Sequence, residues 1–236
     1  MNAMNAVLRT SHLEDLERKG YCIASPKWQT KLVLEAQRMA EELEKDGRFR
    51  PLPLEIREAL LSKGSSAVLE LPAQSQDNVL GLLDGALTHL AAAVSQKWYR
   101  ISNRSIGLLH QAGRTCTSPD LNEEDCCQWF GLLSRSRFMA VLFLGPEEGK
   151  LHLKPWEDLS DLSDSESESE VEMQNFPEAV ETLVMGDLLV VHHCLQARLT
   201  TKSSSFCLSC FLQEQDLQLT AAAKVLQDWA EAKAEA

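Results

Sequence analysis

The centre of the chain reads Phe138-Met139-Ala140-Val141-Leu142-Phe143-Leu144 and is followed by Gly145-Pro146. An unbroken apolar run of this length, stopped by Gly and Pro, predicts a strand that is buried on both faces. After Gly149, residues Lys150 to Lys154 alternate between polar and apolar side chains, which predicts a hairpin partner for that strand. We therefore expect a buried antiparallel sheet at the core of the protein.

The segments around this run divide into helices upstream and strands downstream. Three more strands are predicted over 181–185, 187–193 and 206–212. Upstream, apolar residues recur at spacings of three and four between Ser75 and Ser95, which indicates a helix. Asn122 to Leu133 fits either a short helix or a strand, and Thr220 to Ala236 is predicted to form a last helix. Helices followed by short strands predict an α+β protein, with helices packed on a sandwich or open barrel.

Composition and charge limit the kind of protein this is. With 236 residues and 44% hydrophobic content, the chain is long enough for one large domain with a substantial core. The net charge of −12 is concentrated in Glu157 to Glu172, which holds eight acidic and no basic residues. The rest of the chain carries 27 acidic and 23 basic residues, a net charge of −4, without the clustered Lys and Arg of a nucleic-acid-binding face.

The location of the protein is predicted from what the sequence lacks. It has no signal peptide pattern and no run of about 20 apolar residues that would cross a membrane. Its seven cysteines, an odd number, fit free thiols in a reducing compartment. We expect an intracellular protein, cytoplasmic or nuclear, that binds neither membrane nor nucleic acid.

Four segments, taken in order, resemble the 2-oxoglutarate and Fe(II)-dependent dioxygenases, particularly the prolyl 4-hydroxylase-like branch. They are Arg137 to Leu144, Gly149 to Leu153, Met185 to Val191, and Ser203 to Phe211. The resemblance covers about Trp98 to Leu212 and implies a double-stranded β-helix, a jelly-roll or cupin-like barrel. It implies N-terminal supporting helices over 1–97, the barrel over 98–212 with a disordered acidic insertion at 157–172, and a C-terminal helix within 213–236.

The same resemblance draws attention to the iron ligands. In that family a His-x-Asp or His-x-Glu pair and a distant His hold the iron and leave positions open for the co-substrate and oxygen. The only such pair in this chain is His12-Leu13-Glu14, in the first predicted helix. In the expected window, before the Phe138 strand, the sequence is Glu123-Glu124-Asp125-Cys126-Cys127. Asp125, with Cys127 beside it, is the candidate ligand there.

The second half of the expected site is displaced along the chain. The resemblance places the distant His near Gln196 or Ala197, neither of which can replace an imidazole. His192 and His193 come four or five residues earlier, and only one of two adjacent strand residues can face the barrel interior. Lys202 follows them at the spacing of the basic residue that pairs with the 2-oxoglutarate carboxylate. His192 and His193 are thus candidate metal ligands, and Lys202 is a candidate cofactor-binding residue.

The acidic segment suggests regulation and a partner. Ser163, Ser165 and Ser167 each have an acidic residue three positions later, so they are candidate phosphorylation sites for an acidophilic kinase. A protein partner is expected to contact either this acidic loop or the C-terminal helix.

Two functions are open from the sequence. The first is a non-catalytic scaffold or binding module on an oxygenase-like barrel, a pseudoenzyme with a degenerate iron site and no cofactor. The alternative is an active dioxygenase that uses Fe(II) and 2-oxoglutarate in a rearranged site built from His192 or His193, Lys202 and Asp125.

Overall fold

A computed structural model of the chain describes residues 8–72, 78–95, 97–98, 100–112, 117–156, 176–214 and 220–234. The helices are α1 Thr10–Lys19, α2 Thr30–Lys45, α3 Leu54–Ala59, α4 Val79–Ser95, α5 Glu123–Leu133 and α6 Ala221–Ala234, with a 3₁₀ turn at Ser62–Ser65. The strands are β1 Tyr21–Ala24, β2 Arg50–Pro51, β3 Ala67–Glu70, β4 Ile101–Arg104, β5 Leu108–Ala112, β6 Ser136–Gly145, β7 Gly149–Pro155, β8 Ala179–Leu183, β9 Leu188–His192, β10 Leu195–Thr201 and β11 Ser205–Glu214.

The strands form two antiparallel sheets that enclose a common core. The larger sheet has the order β1-β9-β6-β11-β5-β3-β2, and β4 also pairs with β11. The smaller sheet has the order β10-β7-β8. Helices from the N-terminal half pack on the outside of the larger sheet. This architecture confirms the predicted α+β double-stranded β-helix with N-terminal and C-terminal helices.

The strand β6 lies at the centre of this arrangement because both of its faces are apolar. Met139, Val141 and Phe143 point toward the core shared with the smaller sheet. Phe138, Ala140 and Leu142 point the other way and belong to the core formed with helices α2 and α4. A strand that contributes to two cores has no polar face, which explains the continuous apolar run in the sequence.

The predicted hairpin between β6 and β7 is wrong. β6 pairs with β9 and β11, whereas β7 pairs with β10 and β8 in the other sheet. The chain therefore crosses from one sheet to the other between Gly145 and Gly149. The alternation in β7 correctly indicated one buried and one exposed face, but alternation does not identify the neighbouring strand.

The sequence analysis also missed β10, which lies beside the 3₁₀ turn at the edge of the smaller sheet. The Leu199 amide donates to the Leu61 carbonyl at 3.1 Å. A Cβ atom at Gly64 would lie 2.7 Å from the Leu199 Cβ atom, so only glycine lets the turn approach this strand. The turn thereby covers one edge of the smaller sheet.

The regions at 1–97 and 213–236 both contribute to the body of the protein. In addition to its helices, the first contains β1, β2 and β3, all of which belong to the larger sheet. In the second, Ala223 and Leu226 of α6 are fully buried and Trp229 packs against the core. The segment Glu123–Leu133, left open above, is a helix that Asn122 caps by accepting from the Asp125 amide. The domain boundaries themselves stay predictions.

Some predictions concern residues outside the described ranges. These include the acidic insertion at 157–172 with Ser163, Ser165 and Ser167. The six cysteines within the described ranges are free thiols. No helix in the described part of the chain is long and apolar enough to cross a membrane.

Candidate functional site

The inner face of β10 forms part of the wall of the barrel. Leu195, Ala197 and Leu199 point into the shared core and are at most 5% exposed. Gln196 faces the other way and donates to the Glu58 carboxylate at 3.3 Å. At the position predicted for the distant metal-binding imidazole, the barrel therefore contains the methyl group of Ala197.

One imidazole lies inside the barrel, on β5. His110 is fully buried, and its Nδ1 and Nε2 atoms lie 2.9 Å and 2.5 Å from the hydroxyls of Ser65 and Ser209. Burial lowers the pKa of His110 to about 3, so the ring is neutral. A neutral imidazole has one donor and one acceptor, and the two serines satisfy both. The structural role that a lone strand histidine suggests is the role that His110 has.

A second group of polar side chains lies where β9 ends and the chain turns into β10. Donor atoms of His192, His193 and Cys194 lie within 4.8 Å of one another. The two imidazole centroids are 4.4 Å apart, and the His192 ring packs edge-on against Phe138 and Phe176. We call these three residues the HHC cluster.

Hydrogen bonds already use both imidazole lone pairs of the HHC cluster. The Arg137 guanidinium donates to His193 Nε2 at 2.7 Å, so Nε2 is the acceptor. The Cys194 amide donates to His192 Nδ1 at 3.2 Å. A neutral imidazole has a single ring lone pair, which must also serve if the ring is to bind a metal. Arg137 in turn lies 3.7 Å from the buried Glu214 carboxylate.

The electrostatics of the HHC cluster keep all three groups uncharged. Burial, together with the Arg137 guanidinium, lowers the pKa of His192 to about 3. Burial and the neighbouring His192 and Arg137 also hold the pKa of His193 well below its usual value. Burial raises the pKa of the Cys194 thiol to about 11, although Arg137 acts in the opposite direction. The Arg137 guanidinium thus places a positive charge beside both imidazoles.

The mouth of the barrel beside the HHC cluster is almost filled. A cavity of about 30 Å³ remains there, which is room for only about two water molecules. Its walls include the two histidines, Trp156 after β7, Leu60 after α3, and Ala222 of α6. Helices α5 and α6 pack on each other, and Leu133 at the end of α5 also contributes to the wall of this cavity.

The other two predicted site residues lie elsewhere. Asp125 is in the first turn of α5, where its carboxylate pairs with Arg50 of β2 at 2.9 Å, and Cys127 beside it is exposed. Lys202 is exposed in the turn after β10. A seven-residue strand separates it from the HHC cluster by roughly 20 Å. The structure thus brings His192 and His193 together, but neither Asp125 nor Lys202 joins them.

Comparison with known proteins identifies the architecture. No family profile and no curated protein sequence matches the chain. A prolyl 4-hydroxylase from Pseudomonas putida superposes with a TM-score of 0.56 over 87% of this chain and 98% of its own, at 13% identity. A prolyl 4-hydroxylase from Phytophthora capsici gives 0.57 over 97% and 72%, at 14% identity. The α-ketoglutarate-dependent carbocyclase SnoK from nogalamycin biosynthesis gives 0.54 over 99% and 93%, at 13% identity.

The chain has the prolyl-hydroxylase-like oxygenase fold. Identities this low show the fold alone, so the chemistry has to be judged from the residues of this oxygenase-like barrel. Those residues do not fit an iron and 2-oxoglutarate site. The interior of the barrel has Ala197 where an imidazole is needed, both lone pairs of the HHC cluster are used, and the Arg137 cation repels a metal ion. The cavity of about 30 Å³ is also too small for a dicarboxylic acid.

Three residues at the mouth of this oxygenase-like barrel were not predicted as site residues from the sequence: Cys194, Arg137 and Glu214. The adjacent letters His192-His193-Cys194 were the available signal for the HHC cluster. Arg137 reaches it because Phe138 is paired with His192 across β6 and β9, and Glu214 reaches Arg137 from the end of β11. Strand register is not written in the sequence, so these contacts needed the structure.

Proposed function

We propose that the chain is a non-catalytic binding module built on an oxygenase-like barrel, in which the barrel is a scaffold and not a reaction chamber. The observation that carries the proposal is the inner face of β10, where Leu195, Ala197 and Leu199 close-pack as core. A catalytic iron site needs open coordination positions and space for its co-substrate. A side-chain-filled interior offers neither.

The HHC cluster supports the same conclusion. Its imidazoles accept hydrogen bonds from Arg137 and from the Cys194 amide, so binding a metal would break two hydrogen bonds and place a cation beside a guanidinium. The Arg137 and Glu214 pair continues this network into β11. We infer that the cluster holds together the ends of β6, β9 and β11 at the barrel mouth.

The alternative function is an active dioxygenase with a rearranged site at His192 or His193, Lys202 and Asp125. It requires these side chains to converge in one barrel, and they are distributed over the mouth, an exposed turn and the outer helix α5. It also requires the mouth to open by movement of α6. No observation in the described part of the chain favours that movement.

Iron binding distinguishes the two functions because it needs no knowledge of a substrate. The purified chain is incubated anaerobically with Fe(II) and 2-oxoglutarate, desalted, and measured for bound iron. Succinate formation is the second readout and is measured in a parallel sample that contains Fe(II), 2-oxoglutarate and dissolved oxygen. We expect far less than one iron per chain and no succinate. The prolyl 4-hydroxylase from Pseudomonas putida serves as the positive control.

Stoichiometric iron that is lost in the His193→Ala and Lys202→Ala variants would overturn the proposal. The matched control is His89→Ala, because His89 is exposed on α4 and lies outside the HHC cluster. Loss of iron in that control as well would indicate non-specific binding.

A further inference from the structure

The outer face of the smaller sheet carries a concentration of positive charge. Strand alternation turns Lys150, His152 and Lys154 of β7 outward, together with Arg198 of β10. Arg198 and His152 are direct cross-strand neighbours, and His152 is paired in turn with Val180 of β8. The outward positions of these three strands are 150, 152, 154, 180, 182, 196, 198 and 200. None of these residues is acidic.

A groove of about 620 Å³ runs over this face. One side is formed by Ser62 and Lys63 of the 3₁₀ turn, and the other by Glu178 and Ala179 at the start of β8. Its floor is formed by the outward side chains of β7 and β10, including His152, Lys154 and Arg198. Unlike the cavity at the barrel mouth, it is open and large enough to receive several residues of an extended peptide.

The sign of this charge is opposite to that of the whole chain. The chain has a net charge of −12, whereas the groove has Lys63, Lys154 and Arg198 against Glu178. Glu58 offsets the charge of Arg198 by pairing with it at 3.2 Å, and Lys154 also has a partner. The exposed Lys150 adds a further positive charge on the same face. A local positive surface on an acidic protein attracts an anionic ligand and orients it.

The shape and the apolar part of the face favour a peptide over a nucleic acid. Val180, on the edge strand β8, is 65% exposed and offers an apolar contact beside His152. In the described part of the chain, β8 pairs only with β7, so its outer edge can accept backbone hydrogen bonds from an extended segment. The outward positions include no Phe, Tyr or Trp, and His152 is the one aromatic ring among them, so the face offers little surface on which bases can stack.

We infer that this groove is a docking surface for an acidic peptide segment of a protein partner. The inference rests on the proposed function as a binding module and names the class of its partner. Carboxylates or phosphates of the segment pair with Lys63 and Lys154, and an apolar side chain packs on Val180. The chain's own segment Glu157 to Glu172 is also acidic. The experiment distinguishes binding of this segment from binding of a partner's peptide.

The experiment measures fluorescence anisotropy of a labelled acidic peptide of about twelve residues, rich in Glu and phosphoserine with a central Leu, against the full chain. We expect saturable binding that weakens steeply from about 50 to about 500 mM salt. The double variant Lys63→Glu and Lys154→Glu should weaken it by about tenfold or more. Arg198 is left unchanged because its reversal would also repel Glu58.

The matched control is Lys31→Glu and Lys45→Glu, two exposed lysines of α2 away from the smaller sheet. This control should bind as the natural chain does, and circular dichroism checks that both double variants are folded. If charge reversal at Lys63 and Lys154 prevents folding, Val180→Asp tests the same surface at an exposed position.

Three results would overturn the docking surface: no saturable binding, equal binding by both double variants, or tighter binding of single-stranded RNA of equal length. A fourth is peptide binding that occurs only after the acids of 157–172 are changed to Gln and Asn, which would assign the groove to the chain's own segment. Iron uptake would overturn the non-catalytic function alone. Failure of peptide binding leaves that function standing.

Discussion

The two faces of the smaller sheet carry opposite chemistry although the same three strands form both. Inward, Leu151, Leu153 and Leu199 are at most 1% exposed and belong to the barrel core. Outward, Lys150 and His152 are exposed to solvent and line a cationic surface. The face that would hold ligands in an iron oxygenase is used here for stability, and the face that folding leaves free carries the charge. Under the proposed function, the oxygenase fold is kept while the interior of the barrel serves as packed core and not as an iron site.

We expect the largest effect when the pH is lowered, because acid favours the charged form of imidazoles that are buried as neutral rings in the folded protein. The folded-state pKa values of His110, His192 and His193 all lie below the unfolded value of about 6.5. At a pH between the folded and unfolded pKa values, the unfolded chain binds more protons than the folded chain. The free energy of unfolding is therefore highest above this range and falls as the pH drops from about 6.5 toward 3. From pH 7 to pH 5, His110 and His192 should each remove about 2 kcal/mol from the free energy of unfolding, measured by urea titration. His193 should contribute a loss in the same direction.

The variant His110→Asn isolates one contribution to this pH dependence. It should flatten the dependence of stability on pH by the share of one histidine, whereas His89→Asn, on the exposed face of α4, should leave the slope unchanged. An identical slope in both variants would contradict the assignment to buried imidazoles.

The next effect compares the two faces of β10 directly. Leu199→Ala removes a fully buried side chain from the inner face and should lower the free energy of unfolding by about 3 kcal/mol. Thr200→Ala, one residue later on the outer face, should change it by about 0.5 kcal/mol or less. Chemical denaturation measures both. Equal costs would mean that the inner face is not close-packed.

A smaller effect is expected at the barrel mouth. Arg137→Met removes the ion-pair partner of Glu214 and should lower stability by about 2 kcal/mol. It also frees the Nε2 lone pair of His193 and removes a nearby cation, so the variant should bind Ni²⁺ or Zn²⁺ more tightly than the natural chain. Competition with a chromophoric chelator measures the affinity. Arg137→Lys, which keeps the positive charge, is the control and should not gain metal binding to the same extent.

The smallest effect is expected on the outer face. Lys150→Gln should leave the free energy of unfolding unchanged within about 0.5 kcal/mol, because an exposed lysine contributes little to stability. Thermal unfolding in dilute buffer is sufficient to test this. A large loss would mean that the cationic surface is part of the folded architecture and not reserved for binding.

The sequence predicted the elements whose local pattern of apolar and polar residues fits only one type of secondary structure. The apolar run of β6 predicts a strand buried on both faces, and the spacing of Leu226 and Trp229 predicts a helix with one apolar face. The structure shows that this face packs on the body and not on a separate partner. The family resemblance predicted the distant histidine near Gln196 or Ala197, and the structure shows that Ala197 faces the core while Gln196 faces outward. That Ala197 takes the place of that histidine stays a prediction. The partner of β7 did not follow, since its alternation specifies the two faces and not the neighbour.

The functional contacts were harder to predict because they depend on register between distant strands. Arg137 meets His193 only because β6 and β9 align Phe138 with His192. Lys202 illustrates the opposite error. Its spacing from His193 resembled that of a cofactor-binding residue, but the extended strand β10 lies between them and separates the two. The distance in space between two residues depends on the secondary structure of the chain between them. The spacing of Lys202 and His193 in the sequence did not specify that structure.

The pairing of β1 with β9 also has a consequence for how the protein is made. Tyr21 aligns with Val191 across these strands, so residues 170 positions apart must meet before this edge of the larger sheet exists. At typical rates of synthesis, on the order of ten seconds or more separates their emergence from the ribosome. During that time helix α1 and strand β1 have been synthesised, but strand β9, with which β1 pairs, has not. Contacts of such high sequence separation slow folding, and we expect this chain to fold late, after translation of β9, and to depend on chaperones until then.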